Sequence, residues 1–323
     1  MTKQLEKALK GGMLCVSIAM MASCQECELT KSQSDDLAMS VVASISPVSG
    51  ALQSRYAGSE PNLVEFAEDD QIGIFVDGGE PVQWTYGSSG WSAGGVVYWP
   101  DKTDEHLFQA FYPYAEGATA DNVPMPGLKN QDGTMASLSN CDFLKATTNQ
   151  SYGTDGVVEF KGDGKNFVHV SSLLKLTIKG DEDLQSSTLD KVSVLGKDIV
   201  APSFYSFEDG TVTLSSDDSS DLLEVALEHE MNGADATFYF ILNAKSNATD
   251  PVTLTLEYTT GGKNYVASLN NFAGNVFVGG MQQSYTISVK DSYLIVSGGD
   301  ISPWGDGETL DDIVINGSEV TES

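Results

Sequence analysis

The chain has 323 residues, 17 Lys and Arg against 46 Asp and Glu, a formal net charge of -29 and a pI near 4.1. So acidic a chain lacks the basic footprint that nucleic acid requires, and its surface is self-repelling. The length leaves room for two domains, and the glycine-rich composition, with Thr, Val, Tyr and Phe in short alternating runs, points to an all-β fold.

Residues 1–23 read as a signal peptide. Lys3, Lys7 and Lys10 form a basic start, and 11–23 form a short apolar run. That run is shorter than the roughly 20 apolar residues a membrane-spanning helix needs. Met21-Ala22-Ser23-Cys24 resembles a lipobox, with small residues ahead of a cysteine, so Cys24 is the candidate lipid-attachment site and new N-terminus. Removing the signal takes away three lysines and one glutamate, which makes the chain more acidic by two. Cys27 and Cys141 then remain. An exported chain allows them to pair. Removal of the tether would leave Cys141 alone, so no structural disulfide is expected, and two cysteines without a neighbouring histidine are poor zinc ligands. No cofactor is expected either.

Residues 25–36 are polar and acidic and read as a tether. Residues 37–45 alternate: Leu37, Met39, Val41, Ala43 and Ile45 fall on one face, and the intervening positions are mostly Ser and Ala. This period of two predicts a strand with one buried side. Residues 46–62 form a loop rich in Ser, Gly and Pro, and Arg55, the only arginine among the 17 basic residues, lies inside it. Exposed loops of small polar residues are where proteases cut.

Further strands are predicted at 71–76, 83–86, 96–99, 106–112, 157–160 and 167–178, with 116–136 as a loop. The acidic run at 180–183 sets a domain boundary, giving domains 56–182 and 183–323. Strands follow at 189–195, 211–214, 222–227, 237–242, 252–258, 265–269, 284–289 and 293–296, with a short apolar segment at 310–316. Strands at this spacing without helices between them suggest β-sandwiches.

Candidate chemistry is sparse. His106, His169 and His229 sit in strand-like or acidic stretches, without a nucleophile motif or metal-ligand spacing. The acidic pairs 69–70, 217–218 and 311–312 match no EF-hand loop. No enzyme is predicted. Trp84, Trp91, Trp99, Tyr98, Tyr112 and Tyr114 fit either a sandwich core or an aromatic binding platform.

Several stretches resemble the fimbrillin-like family, the pilins of type V pili. They are residues 66–76, Trp91, Val97-Tyr98-Trp99-Pro100-Asp101 and 108–114, with further echoes at 142–144, 167–173 and Ile301-Ser302-Pro303-Trp304, the last carrying Pro-Trp where the family has Asp-Trp. The resemblance implies two tandem transthyretin-like Greek-key β-sandwiches and export as an outer-membrane lipoprotein, lipidated here on Cys24. It implies Arg-specific cleavage between Arg55 and Tyr56, with loss of the strand containing Leu37, Met39, Val41, Ala43 and Ile45. It also implies polymerisation by strand exchange, with the donor within 308–320 and Leu310, Ile313 and Ile315 as its apolar residues. The implied partners are other pilin subunits, the outer membrane through the lipid before cleavage, and a ligand on a host or bacterial surface. The alternative is a surface lipoprotein that anchors or binds glycans or host proteins and never polymerises.

Overall fold

The computed structural model describes residues 37–46, 65–162, 164–181, 184, 186–215, 220–290, 293–303 and 313–320. Among the described residues strands dominate, as the all-β reading requires, and they form five sheets. Cys24, Arg55, Tyr56, Leu310 and the tether lie outside the described residues.

Strand 1, β1 (Ser40–Ala43), pairs in parallel with β8 (Val157–Phe160), and bridges at Ala38 and Ile45 extend it at both ends. These strands lie over a six-stranded antiparallel sheet. Its order is β4 (Gly90–Ala93), β3 (Val82–Gly87), β2 (Gln71–Val76), β5 (His106–Tyr112), β7 (Leu144–Gln150) and β9 (Val168–His169). Between the two layers lies one apolar core, which includes Ile72, Ile74, Trp84, Trp99, Phe108, Val158, Phe160 and Phe167. The opposite face of the six-stranded sheet buries Phe75 and Phe111 in a second cluster with Val123, Phe143 and Tyr205. That cluster is shared with a small sheet of β6 (Val123–Pro124), β12 (Ser203–Tyr205) and β13 (Val212–Leu214).

A third core lies between two five-stranded sheets. One has the order β15 (Ala236–Leu242), β10 (Ser172–Lys179), β18 (Met281–Lys290), β19 (Tyr293–Pro303), β20 (Ile313–Asn316). The other runs β14 (Ser220–Glu230), β11 (Thr188–Lys197), β16 (Val252–Thr260), β17 (Lys263–Asn270), β21 (Ser318–Glu319). The alternation that predicts these strands is the alternation that packs them. Along β16, Val252, Leu254, Leu256 and Tyr258 are buried, while Thr253, Thr255 and Glu257 between them are half-exposed. β10 and β18 run parallel, and every other neighbouring pair in the two sheets is antiparallel. The upstream edge at β15 is capped by loop backbone and side chain: Tyr239 N–H donates to Gly133 O (2.9 Å) and Ile241 N–H to Gln131 Oε1 (2.7 Å).

Local departures from the sequence reading have physical causes. Residues 96–99 form no strand; one bridge joins Tyr98 to Ala38, and the strand lies upstream at β4. The segment 167–178 is two strands of two different sheets, because Val170 and Ser171 turn the chain from one core to the next. β10, upstream of the expected boundary at 182/183, takes both of its neighbours from downstream of it.

Candidate functional site: the seat of the N-terminal strand

Every second residue of 37–45 faces the core. Met39, Val41 and Ile45 are 8%, 6% and 5% exposed, and Leu37 and Ala43 pack half-buried against the same cluster. The backbone of the segment is held on two sides. On the β8 side, Ser40 N–H donates to Gly156 O (3.1 Å) and Ser44 N–H to Phe160 O (3.0 Å). Beyond β8, Phe167 N–H donates to Ser44 O (2.9 Å) and Ser46 N–H to Phe167 O (2.7 Å). On the opposite side, Met39 N–H donates to Val97 O (2.7 Å) and Trp99 N–H to Leu37 O (2.9 Å).

Two residues fix this seat: Trp99, already among the candidate aromatics, and Gly156, which sequence reasoning did not single out. Trp99 is fully buried and meets Phe108 edge-on at 4.8 Å between ring centroids. Its indole Nε1–H donates to Gly156 O (2.8 Å), so side chain and backbone of one residue grip both sides of the strand. Gly156 has φ +67°, and a Cβ there would stand 2.7 Å from Ala38 O. Only glycine lets the chain pass so close in that conformation. The available sequence signal was the aromatic pair Tyr98-Trp99 and a glycine immediately before an apolar strand.

Below Trp99 lies His106, buried on β5, at 6.2 Å between ring centroids. Its Nδ1 meets Asp77 Oδ2 at 2.7 Å, and its Nε2 faces Asp101 Oδ2 at 3.5 Å. Burial pulls the His106 pKa down, but the hydrogen bond and charge of Asp77, with the charge of Asp101, outweigh it and leave the value above the ordinary one. The other oxygen of Asp101 accepts the N–H groups of Thr103 (2.7 Å) and Asp104 (2.8 Å), which hold its carboxyl below the usual range.

The remaining candidates fall elsewhere. Ile313 and Ile315 lie in β20, antiparallel to β19; Ile315 is buried opposite Leu294. His169 is a partly buried residue whose side chain is covered, with Asp142 Oδ2 at 2.9 Å from Nδ1. Trp84 and Trp99 are core residues and Trp91 packs half-buried against the same core, so none of the three adds to a surface platform; Tyr98 is 43% exposed. Cys141 is a buried free thiol. Among the described residues, no group of three or more His, Cys, Asp or Glu is placed to hold a metal, and no helix is long and apolar enough to cross a membrane.

Two solved structures share this architecture. A "putative cell adhesion protein" from Bacteroides uniformis matches with a TM-score of 0.57 at 21% identity, covering 83% of this chain and 98% of that one. A second, with the same description, from Bacteroides ovatus matches with a TM-score of 0.58 at 16% identity, covering 84% and 99%. At these identities the likeness concerns the fold. No curated protein matches. The family model described as fimbrillin-like matches residues 57–304, and on that match, which spans the floor of the strand seat and four strands of each five-stranded sheet, the chain belongs to the fimbrillin-like family.

Proposed function

We propose that this chain is a pilin subunit of a surface fimbria, of stalk or tip type, that supports adhesion. It is exported as a lipoprotein on Cys24, cut between Arg55 and Tyr56, and polymerised when the strand 37–45 gives way to a strand from another subunit. Membership of the fimbrillin-like family supports the fimbrial and adhesive role at the cell surface. One observation carries the finer reading. The segment 37–46 completes a core, with Met39, Val41 and Ile45 buried in it, yet it connects onward only through 47–64, which contains the sole arginine.

The physical consequence follows. While the chain is intact, the strand rebinds at high effective concentration. After a cut at Arg55, only noncovalent contacts hold it, and the burial they supply is of the same order as the cost of ordering the strand. Its loss uncovers Val158, Phe160 and Phe167 and leaves β8 without its partner. An exposed edge beside an apolar groove templates another strand, and head-to-tail addition that does not close gives a filament. The two sandwich domains divide, on this reading, upstream of Ser172 rather than at 182/183, because β10 is built into the downstream core.

The second reading, a surface lipoprotein that does not polymerise, is favoured by the C-terminal segment. β20 is paired on β19 of its own chain, β21 on β17, and Ile315 is buried at home. Replacement of Arg55 by Ala separates the two readings. The pilin reading expects wild-type surface material to begin at Tyr56 and run as a ladder on unboiled gels, and Arg55→Ala to remain lipidated and monomeric. Polymers of normal length from the variant would overturn it.

A further inference from the structure

We propose that Trp99, His106 and Asp101 form a proton-operated latch on the N-terminal strand, closed while His106 is an imidazolium and loosened when it is neutral. The inference concerns the regulation of the strand seat and rests on the proposed release of 37–45 for its purpose. The latch itself stands on the geometry of the intact chain.

The imidazole of His106 lies between two carboxylates, with Asp77 Oδ2 at 2.7 Å from Nδ1 and Asp101 Oδ2 at 3.5 Å from Nε2. Ionised carboxylates only accept hydrogen bonds, so both ring nitrogens face acceptors at once. Only the doubly protonated ring suits both. A neutral ring that keeps its proton on Nδ1 for the closer Asp77 turns an Nε2 lone pair toward Asp101.

The two carboxylates differ in what they anchor. Asp77 belongs to the scaffold: Oδ1 accepts Leu107 N–H (2.8 Å), and Asp77 N–H donates to Leu107 O (2.9 Å). Asp101 belongs to the loop 99–105, which it organises through Thr103 and Asp104 N–H. His106 Nε2 makes no hydrogen bond, so the ring reaches the loop through its ion pair with Asp101 alone, and the loop begins at Trp99, which holds Leu37 O and Gly156 O. Among the described residues, the charged groups set against the ring are the two carboxylates. Asp77 faces it from the end of β2, Asp101 from the loop, and neutral Gln150 lies opposite on β7. Lys102 lies over the ring of Tyr152 instead, 4.8 Å from its centroid.

The direction follows from the raised pKa of His106. Its stabilisation is complete below the ordinary histidine value of about 6.5 and is lost as pH rises through the higher folded value. The latch is thus shut below about pH 6.5 and eases as pH rises through that higher value.

Hydrogen exchange on the uncut full chain tests this. Protection, corrected for intrinsic rates, is read at Met39, Ser40, Ser44 and Ser46 between about pH 5.5 and about pH 9, with amides of β16 and β18 as reference. The wild type is expected to lose about fivefold at the strand, the scale of one partly exposed ion pair, while the reference amides hold. In Asp101→Asn the amide oxygen keeps the Thr103 and Asp104 bonds while its NH2 donates to neutral Nε2, so strand protection stays high at alkaline pH. In His106→Gln the pH dependence disappears. A flat wild-type profile, an equal loss at the reference amides, or an Asp101→Asn profile that tracks the wild type overturns the latch. Because no cleavage or assembly enters the readout, failure of polymerisation leaves the result standing, and a failed latch leaves the pilin reading standing.

Discussion

Trp99 and Gly156 meet through one hydrogen bond of 2.8 Å, and the same glycine carbonyl also accepts the amide of Ser40 at 3.1 Å. One acceptor thus joins the loop 97–99, the turn before β8 and the N-terminal strand. Trp99→Phe keeps an aromatic ring against Phe108 but removes the indole donor. The expected cost is about 1–2 kcal/mol, from a lost hydrogen bond and a smaller ring. Urea unfolding followed by circular dichroism measures it, and an unchanged midpoint would contradict the role given to the indole.

Val41 is the central buried residue of β1, paired with Val158. Val41→Asp places an unpaired carboxylate in an apolar seat, which costs several kcal/mol unless the group reaches water. The proposed function requires this strand to leave its seat. The expected outcome is loss of exchange protection at 37–46 and new binding of a hydrophobic dye, while β16 and β18 remain protected. Full protection at Ser44 in the variant would show that the strand is held more firmly than its contacts suggest.

Ile315 faces Leu294 across the β19–β20 pair and is buried at the edge of the third core. Ile315→Ala is expected to lower the stability of that core by about 2 kcal/mol, the low end for such truncations because the site lies at a sheet edge. Chemical denaturation with exchange at Leu294 and Val296 reads the effect. No effect on the intact chain would mean that the C-terminal strand contributes little at home, which favours its use as a donor.

Cys141 has a thiol pKa pushed up to about 11, by burial first and by the neighbouring charges of Asp142 and Asp132 second. The thiolate is the reactive form, so at about pH 8 only a small fraction of the folded protein is reactive. Iodoacetamide is expected to spare Cys141 in the intact chain and to label it once urea exposes it. Rapid labelling of the folded chain would show that the segment around residue 141 opens readily.

Much of the strand pattern was legible because the alternation is local. Gln71–Val76, His106–Tyr112 and Val157–Phe160 stand where the period of two places them. β7 was missed because, of its inward positions Leu144, Ala146 and Thr148, only Leu144 is strongly apolar, and its outward ones include Lys145 and Asn149. Asp142 and His169 were visible as residues but not as a buried pair, since 27 positions separate them and β7 and β9 must pair before they meet. The strand seat divides the same way. The alternating face of 37–45 was plain in the sequence, whereas the roles of Trp99 and Gly156 were not.

By itself the sequence determined the all-β class, the face of the N-terminal strand that turns inward and the family to which the chain belongs, because alternation and short motifs are carried by neighbouring residues. The tertiary structure decided that this strand runs parallel to β8, that β10 serves the downstream core and that His106 stands between two carboxylates. Pairing direction, core membership and the charge around a buried ring depend on residues far apart in the chain, and those distances are set only when the sheets close on one another.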